Sequence, residues 1–578
     1  MNLHKNLSAY LASSKFNLRP LQVKALDSTL VSQIGQVFLP TATGKTIVEV
    51  LTTLDCLLKL QDEGKTGVAV FGSHRILLNE QLLSQLIKWA NGLGLSFDVL
   101  TVASDGLDSA DVADLREGLG DLLKFCRVEN TTIGQKIVEF VETSKKSKRH
   151  TLIVSTYQSF DRIKEIPKID IACMDEAHTI VHEDMFSNVQ AVLDKGIIDR
   201  IFYFTATPVH GYNGRGMDNH KVFGPELVKI TPREAIDTGD ILAPVLHKIT
   251  ITGGQSTAAI IKGAYLEHRK KVQELNPNQV ARLLVSAEGV EEMIKLVTKK
   301  SFQDWAKQCG IRTVAFSSGH GYYTDGVREV NRKQAFGVIK EVSKLEVPLI
   351  LFHYDILTEG IDLPNLTGVL PLRELDEVKF LQTCGRAARL TPKDREFLLA
   401  DPSINKSKIG SDSKVELNPG MIKPCYWVLD ALTNKAESAK MVTCIRTAYE
   451  LEPYVHNMPD TSTTSTPQEA DSVLTPPLTK AENESKTHLE HEFEIYRVMS
   501  LVKNQAGTGV DKLIKELETD LDQMLQTEPG ETNHAQEKEY GNCSSKTSML
   551  EADRLGTSKS DSSNSVHGEG SLTGLLGY

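Results

Sequence analysis

The sequence predicts an α/β protein that contains two doubly wound parallel sheets in tandem and ends in a largely disordered, partly helical tail. Short β-rich runs alternate with amphipathic stretches of helical length through residues 1–455. The alternation restarts near residue 281, and the composition changes after residue 455. We therefore divide the chain into a first domain (1–225), a connector (226–252), a second domain (253–455) and an acidic tail (456–578).

Six predicted strands make up the first domain. Each is an apolar run rich in β-branched residues, and helical stretches separate the runs, which is the arrangement that produces a parallel sheet. These strands cover residues 36–40, 67–73, 97–102, 151–156, 169–178 and 200–208.

Four further strands are predicted in the second domain, at residues 281–286, 311–318, 347–354 and 366–372. The connector before them is interrupted by prolines, and it contains Thr231 followed three residues later by Glu234. A threonine cap with this spacing predicts a short helix, after which the chain crosses to the second sheet.

The tail carries the whole negative excess of the chain. Residues 456–578 contain 21 acidic and 10 basic residues, which leaves 55 of each for residues 1–455. Segments 457–486 and 556–570 are too poor in apolar residues to fold, whereas 488–525 shows helical spacing and is expected to dock on the body or on a protein partner. The neutral body is compatible with a nucleic-acid partner, because binding depends on where the cations lie.

Composition excludes several other classes of protein. The sequence has no apolar run long enough to span a bilayer and no secretory signal at its start, so we expect no membrane contact and a cytoplasmic location, or a nuclear one in a eukaryote. The eight cysteines form no Cys-x-x-Cys pair, which argues against both a disulfide framework and a structural zinc site.

A phosphate-binding loop is predicted in "FLPTATGKTIVEV" (38–50). Gly44 would allow the backbone to approach a phosphate closely, Lys45 would reach the terminal phosphates, and Thr46 would bind Mg²⁺. The pattern is incomplete, because Leu39 stands where a strict phosphate loop has glycine and Ala42 stands where glycine is frequent. The alternative interpretation of the segment is an ordinary strand end.

An acidic pair strengthens the nucleotide-binding interpretation. The apolar segment "IDIACMDEAH" (169–178) ends in Asp175 and Glu176, which suit Mg²⁺ binding and activation of the attacking water respectively. In the second domain, "FLQTCGRAARL" (380–390) contains Arg386 and Arg389, three residues apart and so expected on one helical face. Arginines placed on the γ-phosphate would stabilise the transition state, although a pair of arginines is often only a solvated basic surface.

Together these segments resemble the superfamily 2 helicases and translocases of the DEAH type. The resemblance covers roughly residues 15–455 and implies two RecA-like domains with ATP and Mg²⁺ between them. Within the superfamily, Thr-Ala-Thr at 205–207 and the segment 222–244 look like the branch that contains restriction-enzyme motor subunits, excision-repair helicases and phage recombination helicases.

The resemblance also implies roles for individual residues, each at a position that matches a family motif. For nucleotide binding these are Gln22, Thr43, Gly44, Lys45, Thr46, Gly360, Asp362 and Gln382, and for metal binding Thr46 and Asp175. For catalysis they are Lys45, Asp175, Glu176, Arg386 and Arg389. For nucleic-acid contact they are Ser73, His74, Arg75, Ser155, Thr156, Ser286 and Thr358, and for coupling the two sites His178, Thr205 and Thr207.

The implied function is an ATP-dependent DNA helicase or translocase acting on single-stranded or branched DNA in replication, recombination or repair. Three alternatives stay open: the motor subunit of a restriction system with a separate nuclease, an RNA helicase, and a nucleic-acid-binding scaffold without turnover. The complete set of Lys45, Asp175, Glu176 and Arg389 argues against the scaffold.

Overall fold

A computed structural model gives the fold of the chain. The residues that the structure describes are 3–74, 78–103, 126–249, 255–317, 322–324, 329–330, 332–344, 347–354, 365–391, 394, 407–409, 415–417, 427–430, 435–451 and 455–457. The predicted tail, with its helical segment at 488–525, lies outside the described residues.

The first sheet is entirely parallel and has eight strands within the described residues, in the order β4-β3-β5-β2-β6-β7-β1-β8. Its strands are β1 (Ile34–Phe38), β2 (Val68–Ser73), β3 (Phe97–Val102), β4 (Val128–Asn130), β5 (His150–Thr156), β6 (Ile171–Met174), β7 (Ile201–Thr205) and β8 (Glu226–Lys229).

Helices lie between these strands. The α-helices are α1 (Lys5–Ser13), α2 (Pro20–Val31), α3 (Lys45–Asp62), α4 (Leu78–Gly92), α5 (Gly134–Lys146), α6 (Glu183–Leu193), α7 (His220–Phe223) and α8 (Pro232–Asp237). Two 3₁₀ segments, Tyr157–Ile163 and Ala177–Val181, follow β5 and β6.

Both faces of the first sheet are buried. Along β2, Ala69 and Phe71 belong to one apolar cluster while Val68 and Val70 belong to another on the opposite face. Because side chains alternate between the faces of a strand, a strand covered on both faces must be apolar at nearly every position. This is why the strands of the first domain are visible in the sequence as continuous apolar runs.

The second sheet also has eight strands within the described part of the chain, in the order β12-β11-β13-β10-β14-β17-β9-β18. All neighbours are parallel except β11 and β12. The strands are β9 (Val245–Lys248), β10 (Arg282–Ser286), β11 (Arg312–Ser317), β12 (Tyr322–Thr324), β13 (Leu349–His353), β14 (Gly368–Pro371), β17 (Trp427–Asp430) and β18 (Val455–Asn457), and a separate hairpin pairs β15 (Ser407–Ile409) with β16 (Val415–Leu417).

The helices of the second half are α9 (Thr257–Leu275), α10 (Val290–Val297), α11 (Lys300–Gln308), α12 (Arg332–Lys344), α13 (Glu377–Ala387) and α14 (Lys435–Tyr449). The predicted fold class, two doubly wound α/β units in tandem, is confirmed. No described helix combines the length and the apolar character needed to cross a bilayer.

The segment predicted as a connector, 226–252, contributes a strand to each sheet. Strand β8 pairs with β1, and β9 pairs with both β17 and β18. Between them lies α8, whose cap is the predicted one: the Thr231 hydroxyl accepts a hydrogen bond from the Glu234 amide at 3.1 Å. The domain limits at residues 225, 252 and 455 stay a prediction.

Candidate functional site

The loop between β1 and α3 has the backbone shape that phosphate binding requires. Ala42 (φ 76°) and Gly44 (φ 86°) both adopt left-handed conformations, and α3 begins at Lys45. Alternating backbone conformations of this kind turn successive amides toward one side, and the first-turn amides of a helix have no carbonyl partner within it. A concave loop opening onto a helix N-terminus is therefore present.

The two departures from the strict phosphate-loop pattern have structural explanations. Leu39 follows β1 and is buried in the core, where a glycine would leave a void. Ala42 takes up the left-handed conformation that glycine adopts without cost, at an expense of about 1–2 kcal/mol for a residue with a Cβ. At Gly44 no side chain fits, because an added Cβ would lie 2.3 Å from Nε2 of Gln22.

Lys45 meets the predicted acidic pair directly. Its Nζ lies 2.6 Å from Oδ1 of Asp175 and 2.9 Å from Oε1 of Glu176. Strand β6 ends at Met174, so the pair follows the strand, and the Asp175 amide donates to the Gly72 carbonyl of β2 at 2.8 Å. The structure thus brings Lys45 together with an acidic pair that begins 130 positions later in the sequence, at the carboxyl edge of a parallel sheet.

A fourth charged group, Glu49, was not predicted from the sequence. It lies one turn after Lys45 on α3, its side chain is fully buried, and neither carboxylate oxygen has a hydrogen-bond partner among the described residues. Burial and the carboxylate of Asp175 raise the pKa of Glu49 well above its ordinary value, and Lys45 opposes this effect.

The other pKa shifts follow from the same arrangement. Burial lowers the pKa of Lys45, but Asp175, Glu176 and Glu49 outweigh it, and the result is a raised pKa. Burial raises the pKa of Asp175. Burial would also raise the pKa of Glu176, but Lys45 and His178 lower it to about 2. Glu176 is therefore ionised at neutral pH.

This cluster fits Mg²⁺ and a triphosphate. Lys45 contacts the buried Asp175 and the half-buried Glu176, and the carboxylate oxygens of the fully buried Glu49, which have no hydrogen-bond partner among the described residues, leave acceptor capacity that the protein does not use. Thr46, half-buried in the first turn of α3, offers a hydroxyl at the same edge. Oxygen ligands of this type suit Mg²⁺, which keeps several of its own waters. The described residues contain no cluster of three or more His, Cys, Asp or Glu that would hold a metal by protein ligands alone.

The predicted coupling residues form one hydrogen-bonded group. Nδ1 of His178 lies 2.9 Å from Oγ1 of Thr205 and 3.4 Å from Oγ1 of Thr207, and the Thr207 amide donates to Oγ1 of Thr205 at 3.1 Å. The same Nδ1 is 3.4 Å from Oε2 of Glu176. Burial lowers the pKa of His178. A neutral imidazole therefore connects the predicted base to the loop after β7.

Gln22 and Thr43 lie together beside the phosphate loop. Gln22 is buried, and its Nε2 donates to the Thr43 carbonyl at 3.1 Å while its Oε1 accepts from the Arg19 amide at 3.0 Å. Arg19, which was not predicted as a site residue, donates from Nη2 to the same Thr43 carbonyl and, at 3.4 Å, to that of Ala42. Its Nη1 pairs with Oδ1 of Asp240 at 2.8 Å.

The second half of the chain contacts the phosphate loop through α13. A Cβ added to Gly385 would lie 2.6 Å from Cβ of Thr41, so the helix backbone rests against the loop. Gln382 lies half-buried on this helix, and Arg386 is only 7% exposed. The prediction that Arg386 and Arg389 share one helical face is wrong, because α13 ends at Ala387 and Arg389 lies beyond it.

Arg386 also lies close to β13. Burial lowers the pKa of His353, at the end of that strand, to about 3, and Arg373 and Arg386 add to the effect. The predicted nucleic-acid contact Ser286 is fully buried, with its hydroxyl 2.7 Å from Nε2 of His353. In this arrangement Ser286 presents no exposed group to a nucleic acid.

The remaining predicted nucleic-acid contacts lie at adjacent strand ends. Ser73 of β2 and Thr156 of β5 are register partners, and Ser155 is the neighbour of Thr156. Both serines are buried, and Thr156 and His74 are half-buried. His74 is near enough to Glu176 to contribute to the lowering of its pKa, after the larger effects of burial, Lys45 and His178. The predicted residues Arg75, Thr358, Gly360 and Asp362 lie outside the described residues.

Comparison with known families agrees with the motifs. Residues 15–210 match the family model described as "Type III restriction enzyme, res subunit". The predicted resemblance to superfamily 2 is confirmed. The match contains the phosphate loop, the acidic pair and the Thr-Ala-Thr segment, which are the superfamily 2 motifs of the first half. No curated protein matches the sequence significantly.

Comparison with solved structures finds Type ISP restriction-modification enzymes and the S. cerevisiae protein Dbp5. The ATP-dependent Type ISP restriction-modification enzyme LlaBIII bound to DNA aligns with a TM-score of 0.52 and 16% identity, over 84% of this chain and 35% of LlaBIII. A nuclease-deletion mutant of the Type ISP enzyme LlaGI in complex with a DNA substrate mimic gives 0.48 and 17%, over 84% and 34%. S. cerevisiae Dbp5 bound to RNA and ADP BeF3 gives 0.47 and 12%, over 82% and 97%. This chain thus spans about a third of each restriction enzyme, and the likeness to LlaBIII shows a shared fold.

Proposed function

We propose that this protein is an ATP-driven superfamily 2 motor that moves along DNA. The contact of Lys45 with both Asp175 and Glu176, at the mouth of a left-handed loop and a helix N-terminus, carries the proposal. The same three residues lie within the segment that matches the restriction-enzyme family model. A buried charge cluster of this composition is costly unless a ligand uses it, which favours a working nucleotide site over a scaffold.

Each residue of the cluster has a task in ATP hydrolysis. The loop amides and Lys45 hold the β- and γ-phosphates, and Thr46 and Asp175 hold Mg²⁺, which neutralises phosphate charge when bound. Glu176 accepts the proton of the attacking water, because its carboxylate lies 2.9 Å from Nζ of Lys45 at the mouth of the phosphate loop. Arg386 and Arg389 stabilise the charge that develops on the γ-phosphate.

Hydrolysis would change the grip on DNA through two routes. The hydrogen bonds of His178 with Thr205 and Thr207 lead from Glu176 to the loop after β7. Helix α13 carries the change to the second sheet, because Gly385 rests on Thr41. ATP bound between Lys45 and the arginines holds the two halves together, and its hydrolysis releases them, which moves one grip relative to the other along the strand.

DNA is proposed as the substrate on the basis of the family match and the Thr-Ala-Thr segment. The test is ATP hydrolysis by the full chain with single-stranded, duplex, forked and four-way DNA and with RNA of the same sequence. We expect at least one DNA to stimulate the rate more than RNA does. A Lys45→Ala variant is the control for contaminating activity. Stimulation by RNA alone would replace this proposal with an RNA helicase.

A second candidate is the motor subunit of a restriction system, which the name of the matched family favours. It predicts duplex translocation without strand separation. Displacement of a triplex-forming strand from duplex DNA, in the absence of unwinding of a forked DNA, would favour this candidate. Unwinding of the fork would favour the helicase.

A further inference from the structure

Arg19 occupies a position between the phosphate loop and the segment that leads to the second sheet. It caps α2, and its guanidinium contacts two partners in opposite directions. Nη2 donates to the carbonyls of Thr43 and Ala42, while Nη1 forms an ion pair with Asp240 at 2.8 Å and also lies 3.4 Å from the Asp240 carbonyl. Asp240 is only 3% exposed, so this pair is shielded from solvent.

The contact with Thr43 sets the direction of the loop amides. In a trans peptide the carbonyl and the following N–H point in opposite directions. Because Arg19 and Gln22 both hold the Thr43 carbonyl, the Gly44 amide must point away from them. Arg19 therefore helps to fix the orientation of a donor that the proposed phosphate site uses.

The ion pair connects Arg19 to Asp240, two residues before Leu242, which contacts the end of α13. Asp240 is held at the end of α8, where its amide donates to the Ala235 carbonyl and its Oδ2 accepts from Oγ1 of Thr238 at 2.8 Å. Two residues later the Leu242 amide donates to the Ala388 carbonyl at 3.1 Å, directly after α13. The guanidinium of Arg19 thus joins the phosphate loop to the segment 240–242 and, through Leu242, to the end of α13, the helix that contains Arg386.

We propose that Arg19 and Asp240 are positioning residues that transmit nucleotide occupancy from the phosphate loop to α13. The inference rests on the proposed ATP site. A triphosphate that draws the loop amides inward also shifts the Thr43 carbonyl, and the ion pair passes this shift to Asp240 and Leu242. Guanidinium suits the task, because its planar fork presents donors in two directions at once and stays charged.

The same two helices provide a matched control. Lys24 of α2 and Glu234 of α8 form an ion pair of the same length, 2.8 Å, but Lys24 is 51% exposed and the pair does not touch the phosphate loop. The test compares Arg19→Gln, Asp240→Asn and their double variant with Lys24→Gln and Glu234→Gln. All are made in the full chain and checked for an unchanged thermal transition.

The first readout compares two quantities in each variant: the affinity for nucleotide and the DNA-stimulated rate of ATP hydrolysis. We expect Asp240→Asn to leave the Kd of a fluorescent ATP analogue within about threefold of wild type, and to lower the DNA-stimulated kcat by about tenfold, inside the roughly 5–150-fold range of typical coupling. Arg19→Gln should weaken both. The double variant should lose no more stimulated kcat than Arg19→Gln alone, because both changes break one link.

The second readout needs no nucleotide, so it separates failure of the link from failure of the proposed function. In the nucleotide-free protein, amide exchange at Asp240 and Leu242 should be faster in Arg19→Gln than in wild type, and unchanged in Lys24→Gln. Unchanged exchange in Arg19→Gln, or fully additive losses of turnover in the double variant, would overturn the link. Wild-type protein that neither binds nor hydrolyses ATP would overturn the proposed function, and with it any transmission of nucleotide occupancy.

Discussion

Replacing Lys45 by alanine should destabilise the nucleotide-free protein far more than removal of a surface lysine does. The ammonium of Lys45 is 2.6 Å from Asp175 and 2.9 Å from Glu176, in a site where Glu49 is also buried. At an effective dielectric constant of about 20, each of the two contacts is worth about 6 kcal/mol of attraction before desolvation is subtracted. Removing one partner of a buried pair typically costs about 3–5 kcal/mol, and we expect a loss of that size.

A second substitution, Glu49→Gln, should recover part of the stability that Lys45→Ala loses. In wild type, Glu49→Gln removes one buried acidic group and should leave stability unchanged or slightly higher. In the Lys45→Ala background it should restore part of the loss, because the amide that replaces the Glu49 carboxyl carries no charge beside Asp175 and Glu176.

The assay is thermal unfolding without nucleotide, followed at the lowest-temperature transition because a chain with two sheets is not expected to unfold in one step. Lys65→Ala is the control, since Lys65 and its partner Glu63, 2.8 Å away, are both exposed and loss of this pair should not move the transition. The electrostatic account of the cluster is wrong if Lys45→Ala unfolds at the same temperature as Lys65→Ala. It is also wrong if Glu49→Gln changes the unfolding temperature equally in wild type and in Lys45→Ala.

Three further predictions follow from single contacts. Glu176→Gln should retain ATP-analogue binding and lower the hydrolysis rate by about 10²–10⁴-fold, as expected for loss of a general base, and wild-type turnover would rule out this role. Gly385→Ala should lower hydrolysis because its Cβ would lie 2.6 Å from Cβ of Thr41, whereas Gly337→Ala, on another helix with open space around it, is the control and should leave the rate unchanged. Burial lowers the pKa values of His150, His268 and His353 to about 4, 3 and 3, so their neutral forms stabilise the fold above about pH 6.5, and stability should fall as the pH drops from 6.5 toward 4. His268→Gln should make that decline in the thermal transition shallower, and an identical pH dependence would contradict the assignment.

The sequence predicted the strands that lie in continuous apolar runs, including the four-residue β6 and β14, and missed several other short strands. Residues 97–102 form β3 as predicted, because a continuous apolar run leaves little alternative. Strands β4, β8, β9 and β12 have three or four residues each, too few for a periodic pattern to be visible. Two of these, β8 and β9, lie in the segment predicted as a connector, where prolines were the dominant signal.

The site shows a similar division. Lys45, Asp175 and Glu176 were predictable because their chemistry is tied to local patterns at strand ends, and the structure places Nζ of Lys45 within 3 Å of both carboxylates. Glu49 was not, because a single glutamate on an amphipathic helix is normally exposed. The sequence feature that could have indicated its burial is its position between the apolar residues Val48 and Val50, which the structure buries as well.

Contacts between distant segments were beyond the reach of sequence patterns. Arg19 and Asp240 are 221 positions apart, and neither has a neighbour pattern that indicates the other. The arrangement of Arg386 and Arg389 was predicted from helical spacing, but α13 ends at Ala387, before the second arginine. Where a helix ends depends on tertiary contacts, here including the bond from Leu242 to the Ala388 carbonyl.

The central claim is that one triphosphate contacts both Lys45, at the start of α3, and the arginines Arg386 and Arg389, at and just after the end of α13. A crystal structure of the full chain with Mg²⁺ and a non-hydrolysable ATP analogue tests it most directly. We predict γ-phosphate oxygens within hydrogen-bond distance, about 3 Å, of both Nζ of Lys45 and the guanidinium of Arg386 or Arg389. A nucleotide bound at Lys45 with both arginines directed away from the γ-phosphate would contradict the claim.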